Sequence, residues 1–404
     1  MHERPSSPPG GLRADTDGYA RDGDDGAGGV RGAVSGDGGR PLRAGLARVD
    51  GLVPASGATD GDSGAVPRRG QRPSGAGSAD GGAIGPARGG QPAGGPEHRP
   101  RFDTPVGRGG YVWWYVDALS ADGRQGLTII AFIGSVFSPY YAWDRSRDPF
   151  RHCAVNVVLY GERSNRFCMT ERGRRAVSRD ATHLAIGPSD LAWDGTTLTI
   201  NLDEVTAPIP SRVRGTVRVR PTGLTPGPFT LDTRGQHRWW PMAPSSPVEV
   251  ALTEPSLTWT GTAYFDTNHG DTPLEDAFTD WTWCRADLTD GAAILYDVRR
   301  RDGTVQNLSL RFDATGAPRD IDPPRPAALP ATRLWRIPRS TRSDDGTARV
   351  VRTFEDTPFY ARSLLETTLC GQRVRPVHES LSLDRFKNPL VRWMLPFRMP
   401  RPLG

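Results

Sequence analysis

The chain has 404 residues, 36% of them hydrophobic, and a formal charge of +5, but its apolar material is unevenly spread. Residues 1–100 hold 26 of the 48 glycines and neither Trp nor Phe. They carry 12 Arg against 12 acidic residues, so the whole positive excess belongs to residues 101–404. No basic run there alternates with aromatics in a recognition pattern, which argues against a nucleic-acid partner and leaves an attraction to anionic lipid open.

Residues 1–100, rich in Gly, Pro, Arg and Asp, show no periodicity and predict a disordered tail, since they cannot bury enough apolar surface to offset ordering entropy. From Tyr111 short β-type runs alternate with turn residues. Tyr111–Leu119 and Leu127–Phe137 predict a hairpin around SADGRQG. His152–Tyr160, Leu198–Val205 and Arg212–Arg220 predict further strands, the last two half-buried by their alternation. Between them Thr170–Asp180 predicts the one short helix of this half, capped by Thr170.

A second series begins with VEVAL near Pro247 and runs through Leu257–Asp266, Trp281–Leu288, Ala292–Arg300 and Val305–Phe312. A Pro-rich connector, Asp320–Arg333, leads to ARVVRTF, YARSLLETTLCG and RVRPVHESLSL. So many strands with so little helix predict an all-β chain of closed antiparallel sheets, because closure removes exposed edges. The expected organisation is a tail over 1–100, one β-barrel over 101–245, a second packed beside it over 246–384, and a distinct segment over 385–404.

That last segment interleaves Arg385, Lys387, Arg392, Arg398 and Arg401 with Phe386, Leu390, Trp393, Leu395, Phe397 and Met399. Such a mixture suits a membrane interface, or a tail packed on its own barrel. The N-terminus has no apolar signal region, and no run approaches the roughly 18 residues of a transmembrane helix. Cys153, Cys168, Cys284 and Cys370 lack metal-like spacing and read as buried thiols in a reducing compartment. The expected location is cytoplasmic, peripheral to an inner or intracytoplasmic membrane.

The chain has no GxGxxG after a strand, no P-loop, no HExxH, no GxSxG and no Cys/His cluster. These absences argue against nucleotide, zinc and serine-hydrolase chemistry. What remains is aromatic and acidic. Trp113, Trp114 and Tyr115, Trp239 and Trp240, and Trp281 with Trp283 either fill barrel cores or line a long apolar tunnel.

Tyr264 and Asp266, two apart, share one side of an extended strand. Facing such a tunnel, Asp266 would be held protonated by desolvation, as a general acid requires; alternatively it opens the turn DTNHGD. His237, in GQHRWWPMAP, is a candidate base for positioning water, or a structural histidine. Asp117, Asp203, Glu204, Glu275, Asp276 and Asp280 read as solvated or capping carboxylates.

The blocks Gly109–Trp143, HCAVNVVLYG, Met169–Gly195, HRWWPMAP and Gly261–Ala286 closely resemble the bacterial carotenoid 1,2-hydratases, also called hydroxyneurosporene synthases. The similarity runs from about Phe102 to Leu383. It implies two lipocalin-like barrels and a hydro-lyase without cofactor or metal. The implied reaction adds water to the terminal 1,2 double bond of an acyclic carotenoid, such as neurosporene or lycopene, in the spheroidene or spirilloxanthin branch.

The resemblance also implies that the His-x-Trp and Tyr-x-Asp pairs matter, here His237, Trp239, Tyr264 and Asp266, with Asp266 donating the proton and His237 handling water. Trp239 and Tyr264 would line the cation site. A function from another class fits the same composition: a lipocalin-like carrier of apolar pigment, in which Asp266 would face solvent.

Overall fold

The computed structural model describes residues 99–161 and 165–402, so the tail expected over 1–100 lies, but for its last two residues, outside them. The first sheet begins with β1 (Tyr111–Ser120) and β2 (Gly126–Ile133), followed by a short helix, α1 (Pro139–Trp143). It continues through β3 (Cys153–Tyr160), β4 (Arg166–Arg172), β5 (Val177–Arg179), β6 (His183–Ile186), β7 (Ser189–Trp193), β8 (Leu198–Val205), β9 (Arg212–Val219) and β10 (Phe229–Thr230). The long hairpin β11 (His237–Glu254) and β12 (Leu257–Gly270) completes it. Its order is β4-β3-β2-β1-β12-β11-β9-β8-β7-β6-β5, with β10 on β11.

After α2 (Leu274–Ala277), a second sheet is built from β13 (Phe278–Leu288), β14 (Gly291–Arg300), β15 (Val305–Asp313) and β16 (Pro318–Asp320). The Pro-rich connector supplies a separate ribbon, β17 (Arg325–Leu329) with β18 (Arg339–Ser343). The second sheet then adds β19 (Ala348–Asp356), β20 (Tyr360–Leu369), β21 (Gln372–Val374) and β22 (Val377–Ser382), in the order β16-β15-β14-β13-β22-β20-β19 with β21 on β20. Two short helices follow, α3 (Leu383–Lys387) and α4 (Pro389–Met394), and then a single helical turn over Leu395–Phe397. The all-β architecture expected, of two antiparallel barrels, is present as a 12-stranded and an 8-stranded antiparallel sheet.

Two expectations about its parts differ. The sheet change falls between Gly270 and Phe278 and not at residue 245, because β11 runs through that position and β12 pairs with β1. Register shifts between Trp240, Ala243 and Ser246 absorb Pro241 and Pro244 inside one strand. The helix expected over Thr170–Asp180 is absent: Thr170 pairs with Val155 inside β4, and only Arg174–Ala176 form a single helical turn. Pairing to the edge of β3 overrides the local helical pattern.

Strand β1 shows how the core is divided. Its even positions Val112, Trp114 and Val116 pack inside the first sheet with Ile129, Val155, Ile200 and Phe265. Its odd positions Tyr111, Trp113 and Tyr115 pack instead with Trp281, Trp283 and Tyr296 of the second sheet. A strand covered on both faces reads as continuously apolar, as YVWWYV does.

The first sheet curls until β4 meets β8. Arg172 there donates to Glu204 at 2.7 Å, and Ser189 bonds the same carboxyl at 2.8 Å. Glu204, expected to be solvated or capping, is fully buried, and desolvation raises its pKa above the ordinary carboxylate value. Arg172→Met is expected to cost about 3 kcal/mol near pH 8, since it strands a buried charge. The loss should shrink toward pH 5, where Glu204 can take up a proton while the unfolded-state carboxyl remains largely ionised. Equal losses in urea melts at both pH values would contradict this pairing.

Candidate active site

Strands β1, β12 and β11 lie side by side, and their register sets one face in rows. Tyr115 lies opposite Asp266, Trp113 opposite Asn268 and Tyr111 opposite Gly270. On the other flank Trp239 faces Asn268 and His237 faces Gly270. A Cβ on Gly270 would fall 2.2 Å from the Tyr111 ring, so the bare backbone lets that ring lie across toward β11. The second sheet covers this face, and between the two sheets lies a predominantly apolar cavity of about 1160 Å³ including its mouth. Trp113, Trp239, Trp281, Trp283 and Tyr296 are among its walls.

Asp266 is on this wall, inside β12 and 5% exposed, so it does not open the turn that DTNHGD suggested. Its Oδ2 accepts from the Tyr264 hydroxyl at 2.7 Å and from the Trp239 indole N–H at 3.0 Å, and the same indole reaches the Tyr264 oxygen at 3.0 Å. Oδ1 is approached by Asn268 Nδ2 at 3.3 Å. Desolvation by burial is the largest influence and raises the pKa to about 7, against the lowering effect of these hydrogen bonds. With Oδ2 occupied by two donors, Oδ1 is the oxygen placed to carry the proton.

His237 is fully buried but does not line the cavity. Its register partner is Gly270, four positions along β12 from Asp266, or about 13 Å of strand. Nδ1 bonds the Tyr111 hydroxyl at 2.9 Å and Nε2 the Thr272 hydroxyl at 3.1 Å. Desolvation lowers its pKa to about 4, so the ring is neutral near pH 7. Tyr111 in turn stacks on Trp113, their centroids 5.0 Å apart, and Trp113 reaches the cavity. His237 therefore supports the wall from behind and is not brought to Asp266.

The second sheet adds two carboxyl groups to the same cavity, Glu355 and Glu379. Glu379 Oε1 accepts from Tyr115 and Tyr360, each at 2.8 Å, and from the Arg362 guanidinium. Arg362 also binds Asp117, which is fully buried, contrary to its reading as a solvated or capping carboxylate. Glu355 accepts from Tyr160, and burial raises its pKa above the ordinary glutamate value.

Comparison with known proteins gives this cavity a context. The family model described as carotenoid hydratase CrtC matches residues 129–404. The acyclic carotenoid 1,2-hydratase of Thiocapsa roseopersicina is 53% identical over 379 residues, covering 93% of each chain. That of Rubrivivax gelatinosus is 50% identical over 383 residues, again covering 93% of each. The chain belongs to the CrtC carotenoid hydratase family.

Among solved structures, kievitone hydratase from Nectria haematococca is 10% identical with a TM-score of 0.40, covering 68% of this chain and 90% of that one. At that distance nothing about chemistry follows.

In this CrtC-family chain, Trp239, Tyr264 and Asp266 form one hydrogen-bonded group while His237 stands apart. Reading along the sequence missed Glu379. Its signal was a charged residue on the apolar row Val377, Glu379, Leu381 of VHESLSL, two of which belong to the core between the sheets. Glu355 carried no comparable signal, because ARVVRTFED alternates charge along much of its length. Removing a donor from the Asp266 carboxylate disfavours its ionised form. Tyr264→Phe is thus expected to move the Asp266 titration above about 7, read by carbon-13 NMR of aspartate-labelled protein. A titration moving down would overturn the bonding scheme.

Proposed function

We propose that this protein hydrates the terminal 1,2 double bond of an acyclic carotenoid such as neurosporene or lycopene, giving the tertiary 1-hydroxy product without a cofactor. The observation carrying this is Asp266: a carboxyl on an apolar, tryptophan-lined wall, its pKa pushed up to about 7. Protonation of C2 by Asp266 leaves a tertiary cation at C1, and water then adds there. An acid held neutral in a site of low polarity suits an unactivated alkene, and aromatic faces stabilise the cation. Trp239 and Tyr264 hold the Asp266 carboxyl; Trp239 lines the cavity beside the reacting carbons, whereas Tyr264, expected to line the cation site, is buried behind that wall. His237 acts as a positioning residue, fixing Tyr111 and through it Trp113. This replaces the direct water-handling role expected for it.

The substrate is apolar, so we place its source in a membrane. The C-terminal segment supports this: Leu395, Arg398 and Met399 border the cavity, while Leu390, Trp393 and Phe397 are 71%, 78% and 71% exposed on the same short stretch. Lys387 and Arg398, both exposed, accompany them, a composition suited to an anionic lipid surface. Among the described residues no helix is long and apolar enough to cross a membrane.

Purified protein incubated with lycopene or neurosporene in detergent should yield the 1-hydroxy carotenoid by chromatography, and absence of product would remove the proposed reaction. Asp266→Asn should lower turnover at least about a hundredfold. Because the acid must be protonated, kcat/KM should fall as pH rises above about 7; a rate that climbs through that range would exclude Asp266 as the donor. The double variant Trp393→Asp, Phe397→Asp should lose binding to phosphatidylglycerol vesicles while keeping activity in detergent. Unchanged vesicle binding would count against the membrane contact.

A further inference from the structure

Hydration needs two proton transfers, and Asp266 accounts for only the first. After Asp266 has protonated C2, the water that bonds to C1 must lose a proton before the product is neutral. Asp266 is held by Trp239, Tyr264 and Asn268, and no cation is among its hydrogen-bond partners in the described residues. The second sheet supplies a carboxyl group of the opposite kind. Glu379 is paired with the Arg362 guanidinium and receives two phenol hydroxyls, and every hydrogen bond recorded for it among the described residues falls on Oε1. Oε2 is left for the cavity that Glu379 lines.

The two carboxyl groups are joined by aromatic residues. Tyr115 is the cross-strand partner of Asp266 and donates to Glu379. Trp283 is the cross-strand partner of Glu379 and packs 5.1 Å from the ring of Tyr264, which donates to Asp266. Both Tyr115 and Trp283 line the cavity, so a double bond lying along them has a neutral acid at one side and a cation-paired carboxylate at the other. Glu355, the third cavity carboxyl, is bound by Tyr160 and lies on β19, at the edge of the second sheet; it lacks this link to Asp266.

We propose that Glu379 is the base of the reaction: it binds the attacking water through Oε2 and takes its proton as the oxygen bonds to C1. This rests on Asp266 being the acid. The balance is closed: the Asp266 proton forms the new C2–H bond, water oxygen forms the C1–O bond, and the released proton goes to Glu379. Asp266 is left as the carboxylate and Glu379 as the acid, and exchange with solvent at the cavity mouth restores both. Arg362, shared with Asp117, offsets the negative charge of Glu379 and positions it.

Deuterium oxide separates the two steps. Without a base, the cation still forms and collapses by losing the original C2 hydrogen or a hydrogen of a C1 methyl group to the Asp266 carboxylate, so the deuterium delivered to C2 stays and the recovered hydrocarbon is labelled without being hydrated. Glu379→Gln is expected to lower hydration at least about a hundredfold while deuterium still enters recovered lycopene by mass spectrometry. Asp266→Asn should lose both hydration and exchange. Hydration by Glu379→Gln within about fivefold of the unaltered protein, or joint loss of hydration and exchange in folded protein, would overturn the assignment. Should Glu379→Gln fail to fold, Glu379→Asp, which keeps the charge opposite Arg362 but withdraws the carboxylate by one methylene, is read by the same two signals. Exchange persisting in Asp266→Asn would instead remove the acid, a distinguishable outcome.

Discussion

Strand β12 turns Ala263 and Phe265 into the first core and Tyr264, Asp266 and Asn268 the other way, and the site depends on that second face being covered. Left open to water, a carboxyl there would ionise like any surface aspartate. The second sheet closes over it with Trp281, Trp283 and Tyr296, and the resulting desolvation outweighs three hydrogen bonds that favour the charged form. Sheet-on-sheet packing thereby becomes the source of acidity near neutral pH.

The same packing sorts the buried carboxyl groups by their partners. Asp117 and Glu379 share the Arg362 guanidinium, and Arg285 lies 4.0 Å from Asp117, whereas Asp266 has only uncharged donors. In a low-dielectric space a carboxylate is retained where a cation accompanies it and neutralised where none does. Which carboxyl groups have a cation beside them is therefore set by the second sheet, which supplies Arg362 and Arg285. Both carboxyl groups serve one cavity, yet they belong to different sheets.

The C-terminal segment extends this logic outward. Phe386, Leu395 and Met399 are buried against the core between the sheets, while Leu390, Trp393 and Phe397 point to solvent. The two functions weighed for the segment, packing on its own sheet and meeting a lipid surface, are thus compatible faces of one element. Arg392 fixes its placement by bonding Glu275 at 2.9 Å.

Local patterning was enough to reveal the all-β class, most strand positions and the Tyr264–Asp266 alternation, because side-chain direction in a strand depends only on the period of two. The family could be recognised for a related reason: the aromatic and glycine-bearing blocks around Tyr111 and Asp266 are contiguous. Whether Asp266 began a turn or faced a cavity was not decidable locally, since both need the same residues. Its answer came from the length of β12 and from strands closing over it that begin at Phe278 and return at Val377. His237 stands away from Asp266 for the same reason: antiparallel register, set by the whole β11–β12 hairpin, places it opposite Gly270, four residues along. Glu379, more than a hundred residues away in sequence, joined the site only because β13 and β22 pair and carry it against Tyr115.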